Sequence, residues 1–529
     1  MNYLYGVSLM LRILGVVAFL GLLEIMALPV LAAELRVRGF FENVLPHADS
    51  NTSDQDFDMT RNTDQIFYGR ERARLYFDLV ASDDLRGVLG LEIDAIYGAP
   101  RFNRVGSRCV LESEVSTFEQ CGFRNGIDNN SIELKNLYLD FRIPQLPLGN
   151  RFQLGGIPAN LTPLHPSLLY TSDAGGGSMK VDFTDQVSLL LHYIQLEEDL
   201  DRFRGSTKLG EDYLVGTTLM LNPLPGFDVH LLGVYGHLQA PFGSSLLIGL
   251  GPFNEVIGDT TNVTTEDRYY IGFDARYRIG NLSIEPSFIY LFGTRKFCTP
   301  GTLTNTSGAM VPCRSAPARS GKTKFNALET QLVLQYVRSG WLWAGKFAYT
   351  SGNAANDDIN NTGVGRASEV KGFRPLGIDG YHIFGEWFEI LGRSDVDSIG
   401  SVTFLRAGKL GTLNKFGWMV LGAKTEYLAT DRLVLEGSVG GFWTAESTAC
   451  PAVLRVGAVT GPCAVPPLDF TGNSRYAGME IDLGLRYSIL PGLFWTPRFG
   501  WAFLGDAWQV QRRNVQDAWT FANRVIYVF

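Results

Sequence analysis

The sequence predicts a closed transmembrane β-barrel of about 18 antiparallel strands. Three observations carry that prediction. Polar and apolar residues alternate in runs of ten or more, and the runs recur along nearly the whole chain. The connections between runs are alternately tight turns and long polar loops. Beyond the N-terminus there is no stretch of 18 apolar residues, so a membrane would have to be crossed by strands that satisfy one another's backbone groups.

Residues 1–33 read as a secretory signal that is removed. Arg12 precedes the apolar run ILGVVAFLGLLEIMALPVL, and Val30-Leu31-Ala32 suits cleavage, with Ala33 the neighbouring choice. Residues 34–529 then read as one barrel domain, starting with the strand ELRVRGFFENV.

The first hairpin shows the alternation best. In RERARLYFDLVA, Ala73, Leu75, Phe77, Leu79 and Ala81 share one face, and Arg70, Arg72, Arg74, Tyr76 and Asp78 share the other. After the turn Ser82-Asp83-Asp84, the return strand sets Leu85, Leu89, Leu91, Ile93 and Ala95 against Arg86, Glu92 and Asp94. Seven more hairpins follow. They turn at PQLPLG, Thr184-Asp185, NPLPG, Gly280-Asn281, Arg338-Ser339-Gly340, Thr430-Asp431 and Leu490-Pro491-Gly492. AWTFANRVIYVF is the last strand. Both ends then fall on the short-turn side, as expected for periplasmic turns and extracellular loops. Val525, Tyr527 and Phe529 share a face, an apolar ending that suits docking by the bacterial barrel-assembly machinery. Tyr97, Tyr138, Tyr235, Tyr269, Tyr290, Trp341, Trp343, Trp443, Trp495 and Trp501 sit near strand ends, where rings favour the headgroup level of outer-membrane lipid.

The polar face of such a wall lines the lumen. The expected lining residues are Arg70, Arg72, Arg74, Asp78, Arg86, Glu92, Asp94, Asp140, Arg276, Arg278, Glu436 and Arg498, with Arg142 beside them. A wet pore tolerates these charges and a packed core does not. Arg70, Arg72 and Arg74 form a three-step ladder. Two readings stay open for it: selection of anions, or bracing of the wall through Glu92 and Asp94.

The connection at about 351–414 is long and begins with the polar SGNAANDDINNTGVGRASEV. It is expected to fold inward as a plug or constriction. The alternative is a further hairpin near SVTFLRAG, which would raise the count to about 20 strands. Cys109 and Cys121, Cys298 and Cys313, and Cys450 and Cys463 form three local couples in polar stretches, read as disulfides of a secreted chain. No metal-ligand spacing accompanies them. DSNTSDQDFD at 49–58 could hold Ca²⁺, although a solvated loop explains it better.

The net charge of −8 argues against a nucleic-acid partner. HExxH, GxSxG and P-loop motifs are absent, and the six histidines are scattered. The expectation is no enzyme and no cofactor.

RERARLYFDLVASDDLRGVLGLEID, KNLYLDFRIPQLPLGNRFQLGGIPANL and the stretch from SGNAANDD through YHIFGEWFEILG to RLVLEGSVGGFW resemble bacterial outer-membrane porins, most closely the alginate-export porin family. The resemblance implies a barrel of about 18 strands with an arginine-rich lumen and a long loop. It places Arg70, Arg72, Arg74 and Asp78 in that lumen. It implies passive passage of hydrophilic, anionic solutes or export of an acidic polysaccharide. The balanced charge inventory and the cysteine couples depart from the family. A structural or adhesive barrel and an outer-membrane hydrolase are the alternatives, and the oligomer is a monomer or a trimer.

Overall fold

The computed structural model describes residues 33–49, 65–67, 69–97, 131–165, 168–197, 212–239, 263–298, 320–354, 357–358, 366–367, 369–376, 387–391, 416–448, 474–508 and 515–529. The signal at 1–32, the acid-rich stretch beyond residue 49, SVTFLRAG and Cys109, Cys121, Cys313, Cys450 and Cys463 lie outside the described residues. Cys298 is described only as the backbone end of a strand.

Strand β1 is Glu34–Asp49. β2 comprises Gln65–Phe67 and Gly69–Ser82, followed by β3, Leu85–Tyr97, and β4, Ser131–Phe141. β5 is Gly149–Asn160, β6 Thr171–Thr184, β7 Val187–Glu197 and β8 Asp212–Leu224. β9 is Phe227–Gln239, β10 Val263–Ile279, β11 Leu282–Cys298 and β12 Ser320–Arg338. β13 is Trp341–Thr350, β14 Trp418–Thr430, β15 Leu433–Thr444 and β16 Tyr476–Leu490. β17 comprises Leu493–Trp495 and Arg498–Leu504, and β18 is Ala518–Val528.

Each strand pairs antiparallel with the next, and β18 returns to β1 from Phe40↔Val528 to Asp49↔Trp519. The result is a closed barrel of 18 strands with no free edge. β13 pairs with β14 along its full length, from Trp341↔Tyr427 to Thr350↔Trp418. The long connection therefore adds no hairpin to the wall, and the 20-strand alternative falls.

Sequence chemistry explains the turns. At the β12–β13 turn, Ser339 and Gly340 have φ of 50° and 80°. Both are left-handed, as a two-residue turn matched to strand twist requires. All eight predicted turns lie at one end of the barrel, which is also where β1 begins and β18 ends.

The outward face is apolar and exposed, with Leu35, Val37, Leu79, Leu137, Leu139, Leu231, Ile271, Leu421 and Leu483 among its residues. Two aromatic girdles bound it. Phe141 stacks with Phe152 and Trp341 with Tyr427 on the turn side, whereas Tyr235 stacks with Tyr269 and Tyr269 with Phe292 on the loop side. From Tyr277 to Tyr269 along β10, a tilted strand climbs about 20 Å. That approaches the apolar thickness of an outer-membrane barrel. One predicted girdle residue is corrected: Tyr138 turns inward and is buried, because it alternates with the outward Leu137 and Leu139.

A wholly wet interior was expected, and the loop-side half departs from it. Ile157, Leu161, Ile194, Leu214, Tyr270, Ile289, Leu291, Phe325, Phe373, Leu376, Phe388 and Trp418 belong to one buried apolar cluster. This core lies inside the barrel, where segments of the connections at 161–170, 369–376 and 387–391 pack against the wall.

Candidate functional site

On the β1–β5 arc, antiparallel register puts Arg74 opposite Glu92 and Arg72 opposite Asp94. Arg74 donates to Glu92, Arg72 Nη2 lies 3.4 Å from it, and Lys135 Nζ lies 3.2 Å from it. Lys135 reaches Glu92 because it occupies the irregular step where Gly90 pairs with Asn136 but Leu91 pairs with Leu134. Glu92 is thus a buried carboxylate under three cations, which stabilise a charge that would be costly alone. The two described members of the arginine ladder brace the wall. The side chains of Arg70 and Asp94 lie outside the described residues.

Two further groups continue the pattern. Arg38 Nε donates to Asp78 at 3.3 Å, and its guanidinium lies 4.4 Å from the Tyr76 ring centre. Asp140 accepts from Arg86 Nε at 2.9 Å, from Arg86 Nη2 at 2.6 Å, and from Arg151. In each pair the acid lies deep and the cation does not. The side chains of Asp78 and Asp140 are 8% and 2% exposed, whereas those of Arg38, Arg86 and Arg151 are 53%, 36% and 35% exposed. Long side chains bury their stems and keep their heads in water. Around these two groups the water-facing side chains are therefore cationic, although the residue inventory is balanced.

Across the lumen, inward segments engage further charges. The connection from β5 to β6 docks on β10 and β11. Asp274 Oδ2 accepts from the backbone N–H of Leu164 at 2.9 Å and of His165 at 3.0 Å. The His165 ring bonds Asp274 through Nδ1, and its Nε2 lies 3.1 Å from Glu285, which also accepts from Arg276 Nε at 2.9 Å. Burial alone would lower the affinity of His165 for a proton. The Asp274 and Glu285 carboxylates outweigh it and hold the imidazole above its ordinary value.

The segment 387–391 of the long connection docks on β14–β17. Glu480 accepts from the N–H groups of Ile390 and Leu391, each at 2.5 Å. Arg498 donates to Glu389 and to Glu436 at 2.9 Å each. Phe388 is fully buried beside Gly422 and Gly440, which face each other across β14 and β15. A Cβ at Gly440 would lie 2.4 Å from the Phe388 ring. The wall omits two side chains there and seats one ring. The segment 369–376 is tied to the first inward segment, since Leu376 N–H donates to Leu169 O at 2.9 Å.

Of the other predicted residues, Arg278 is exposed at the turn end of β10. Arg142 is displaced to the exposed turn surface, where it meets Asp84 at 2.7 Å. Sequence alternation missed Arg38, Lys135, Arg151, His165, Phe388 and Glu389 as members of the site. A signal for the inward packing was present. Toward the loop side, β7, β8 and β11 become apolar on both faces, as in HYIQL, YLVG and FIYLF, and an inward apolar residue needs something to cover it.

No protein-family model matches the chain, the alginate-export one included, and no curated protein matches it. Solved structures similar to it include the outer membrane protein OprD from Pseudomonas aeruginosa, at 9% identity over 95% of each chain with a TM-score of 0.48. A BenF-like porin from Pseudomonas fluorescens Pf-5 is similar at 8% identity over 94% of this chain and 98% of its own, with a TM-score of 0.48. OccK11 (OpdR) from Pseudomonas aeruginosa is similar at 13% identity over 94% and 96%, with a TM-score of 0.45. The resemblance to alginate-export porins gains no support from these comparisons.

Proposed function

We propose that this chain is a bacterial outer-membrane channel for passive diffusion of small hydrophilic solutes, with a preference for anions. The observation that carries the reading is the arrangement of charge within a closed barrel. Buried carboxylates lie behind exposed guanidinium groups, as in Asp140 beneath Arg86 and Arg151. An anion moving past this arc meets cations first. The concentration gradient supplies the driving force.

The test is single-channel recording in planar bilayers across a KCl gradient. The expected result is discrete conductance with a reversal potential on the anion side. Replacing Arg38, Arg86 and Arg151 by Gln moves that potential toward the cation side. A barrel that folds and inserts but conducts no ions overturns the channel. An unchanged potential in the triple variant overturns the anion preference.

A further inference from the structure

We infer that a cleft on the inner wall of β14–β17 binds an uncharged, polyhydroxylated solute such as a monosaccharide. The inference rests on the channel reading above, which brings solutes through the lumen, and it names a class of solute that the cleft suits.

Register builds the cleft from two rows. Lys424 stands opposite Ser438, Ser438 opposite Asp482, and Asp482 opposite Gly500. One inward step nearer the turns, Glu426 stands opposite Glu436, Glu436 opposite Gly484, and Gly484 opposite Arg498. The two glycines make room for their neighbours. A Cβ at Gly500 would lie 2.6 Å from Asp482 Oδ1, and one at Gly484 would lie 2.9 Å from Arg498 Cγ. Segment 387–391 covers the rows on the loop side. The Ser438 hydroxyl donates to Trp387 O at 2.5 Å, with Asp482 Oδ2 at 2.9 Å. The Trp387 ring centre lies 6.0 Å from Lys346 Nζ, a cation–π contact that holds the indole against the wall. Among Trp387, Glu389, Lys424, Glu436, Asp482 and Arg498 lies a cavity of about 20 Å³, room for one water-sized group.

Charge alone does not choose the occupant. Arg498 is engaged by Glu389 and Glu436 at 2.9 Å each, and Lys424 by Glu426 at 2.8 Å. Three acids and two bases line the cavity. An anion there meets more repulsion than attraction, and a cation has to compete with Arg498 and Lys424 for the carboxylates they hold. A hydroxyl fits without either conflict, because it donates to a carboxylate and accepts from an ammonium at once. Asp482 supplies the acceptor. It is buried and faces a second buried acid, Glu480. Its Oδ1 accepts no hydrogen bond among the described residues, and a buried acceptor in that state calls for a donor. Lys424 supplies donors, since its ammonium has three and Glu426 takes one. The half-buried Trp387 indole adds a flat apolar surface at the edge. A pyranose matches this set, with hydroxyls around its rim and C–H groups on its faces. One hydroxyl enters the cavity and the ring stays in the lumen.

The experiment uses the full barrel in a sugar-free polyoxyethylene detergent. Methyl α-D-glucopyranoside is the probe, and saturation-transfer difference NMR is the readout. The glucoside receives saturation from the protein. Glucosamine, which carries an ammonium, and glucuronate, which carries a carboxylate, bind no tighter. Asp482→Asn sets an N–H₂ where the acceptor stands and weakens binding roughly tenfold or more. Trp387→Ala weakens it about tenfold, and Trp387→Phe, which keeps a ring, restores most of it. The site is overturned by an absence of saturation transfer or by tighter binding of either charged probe. Undiminished binding after Asp482→Asn or Trp387→Ala, or a Phe variant no better than the Ala one, overturns it too. Single-channel recording runs in parallel. A barrel that binds the glucoside and passes no current keeps this site and loses the channel. One that conducts and does not bind the glucoside keeps the channel and loses this site.

Discussion

Removing the Phe388 side chain should loosen the docked segment 387–391. The ring is fully buried between Gly422 and Gly440. Truncating a buried Phe to Ala costs about 3–5 kcal/mol, which lowers the ratio of docked to released segment by a factor of roughly 100 to several thousand. The other anchor is Glu480, whose two hydrogen bonds from Ile390 and Leu391 contribute about 0.5–1.5 kcal/mol each. Glu480→Gln sets an amide N–H₂ against one of those backbone donors and loses about one such bond. The two anchors hold one segment, so their effects will not add once the segment is free. In planar bilayers, F388A should show added current noise from transient release, and F388A/E480Q should show a larger mean conductance. G440V should reproduce the F388A noise, because its new methyl groups occupy the seat of the ring. If the double variant folds and its mean conductance and noise match the parent, segment 387–391 does not restrict the pore.

Three further outcomes follow from the site. Arg72→Ala with Arg74→Ala leaves buried Glu92 facing Lys135 alone, a loss of about 3–5 kcal/mol; it should lower the temperature at which the folded, fast-migrating gel form disappears and move the reversal potential less than the Arg38, Arg86 and Arg151 changes do. Because His165 binds its proton more tightly when docked, its contribution to docking is complete below the ordinary histidine value and is lost as pH rises through the raised one. Current noise should therefore grow as pH rises through that window, and His165→Gln should remove the pH dependence; a parent trace steady through the window would contradict the assignment. With the three cysteine couples oxidised, alkylation of the unfolded, unreduced protein should label no thiol, and labelling after reduction should reach all six cysteines.

The wall was legible because one rule generates it. Period-2 alternation, turn residues and the demand for closed backbone bonding specify strands, faces and hairpins locally, and β2 with β3 paired as RERARLYFDLVA and LRGVLGLEIDA suggested. The site was only partly legible, because alternation assigns a side chain to the lumen without saying what it meets there. For Arg72 and Arg74 anion selection and bracing through Glu92 and Asp94 stayed equally open until register brought Glu92 and Lys135 to them. His165 and Phe388 lie in irregular chain, where no period exists, and their partners Asp274, Glu285 and Gly440 are distant in sequence. Such contacts depend on which strands closure brings together.

The dry loop-side half and the cationic water face have one physical origin. Irregular backbone inside a barrel brings N–H groups that neither a ladder nor bulk water satisfies. Two of the three inward segments meet this need in the same way. A wall carboxylate accepts two successive backbone N–H groups, Asp274 from Leu164 and His165, and Glu480 from Ile390 and Leu391. Carboxylate is the suitable group because it only accepts, and it accepts at two oxygens. Each acid used this way is turned away from the water path. The arginines beside them, Arg276 and Arg498, reach the same segments through Leu164 O and Glu389. On the opposite arc the acids sit beneath Arg38, Arg86 and Arg151 instead. Around Asp78, Asp140, Asp274 and Glu480 the charges thus separate by depth, with anions spent on backbone and on guanidinium groups, and with Arg38, Arg86 and Arg151 left facing the solute. Inverting one pair tests this separation: exchanging Arg86 and Asp140 keeps the net charge and brings the acid to the water. If depth governs selectivity, the exchange shifts the reversal potential toward cations. If only the net charge of the lumen matters, the potential stays where it was.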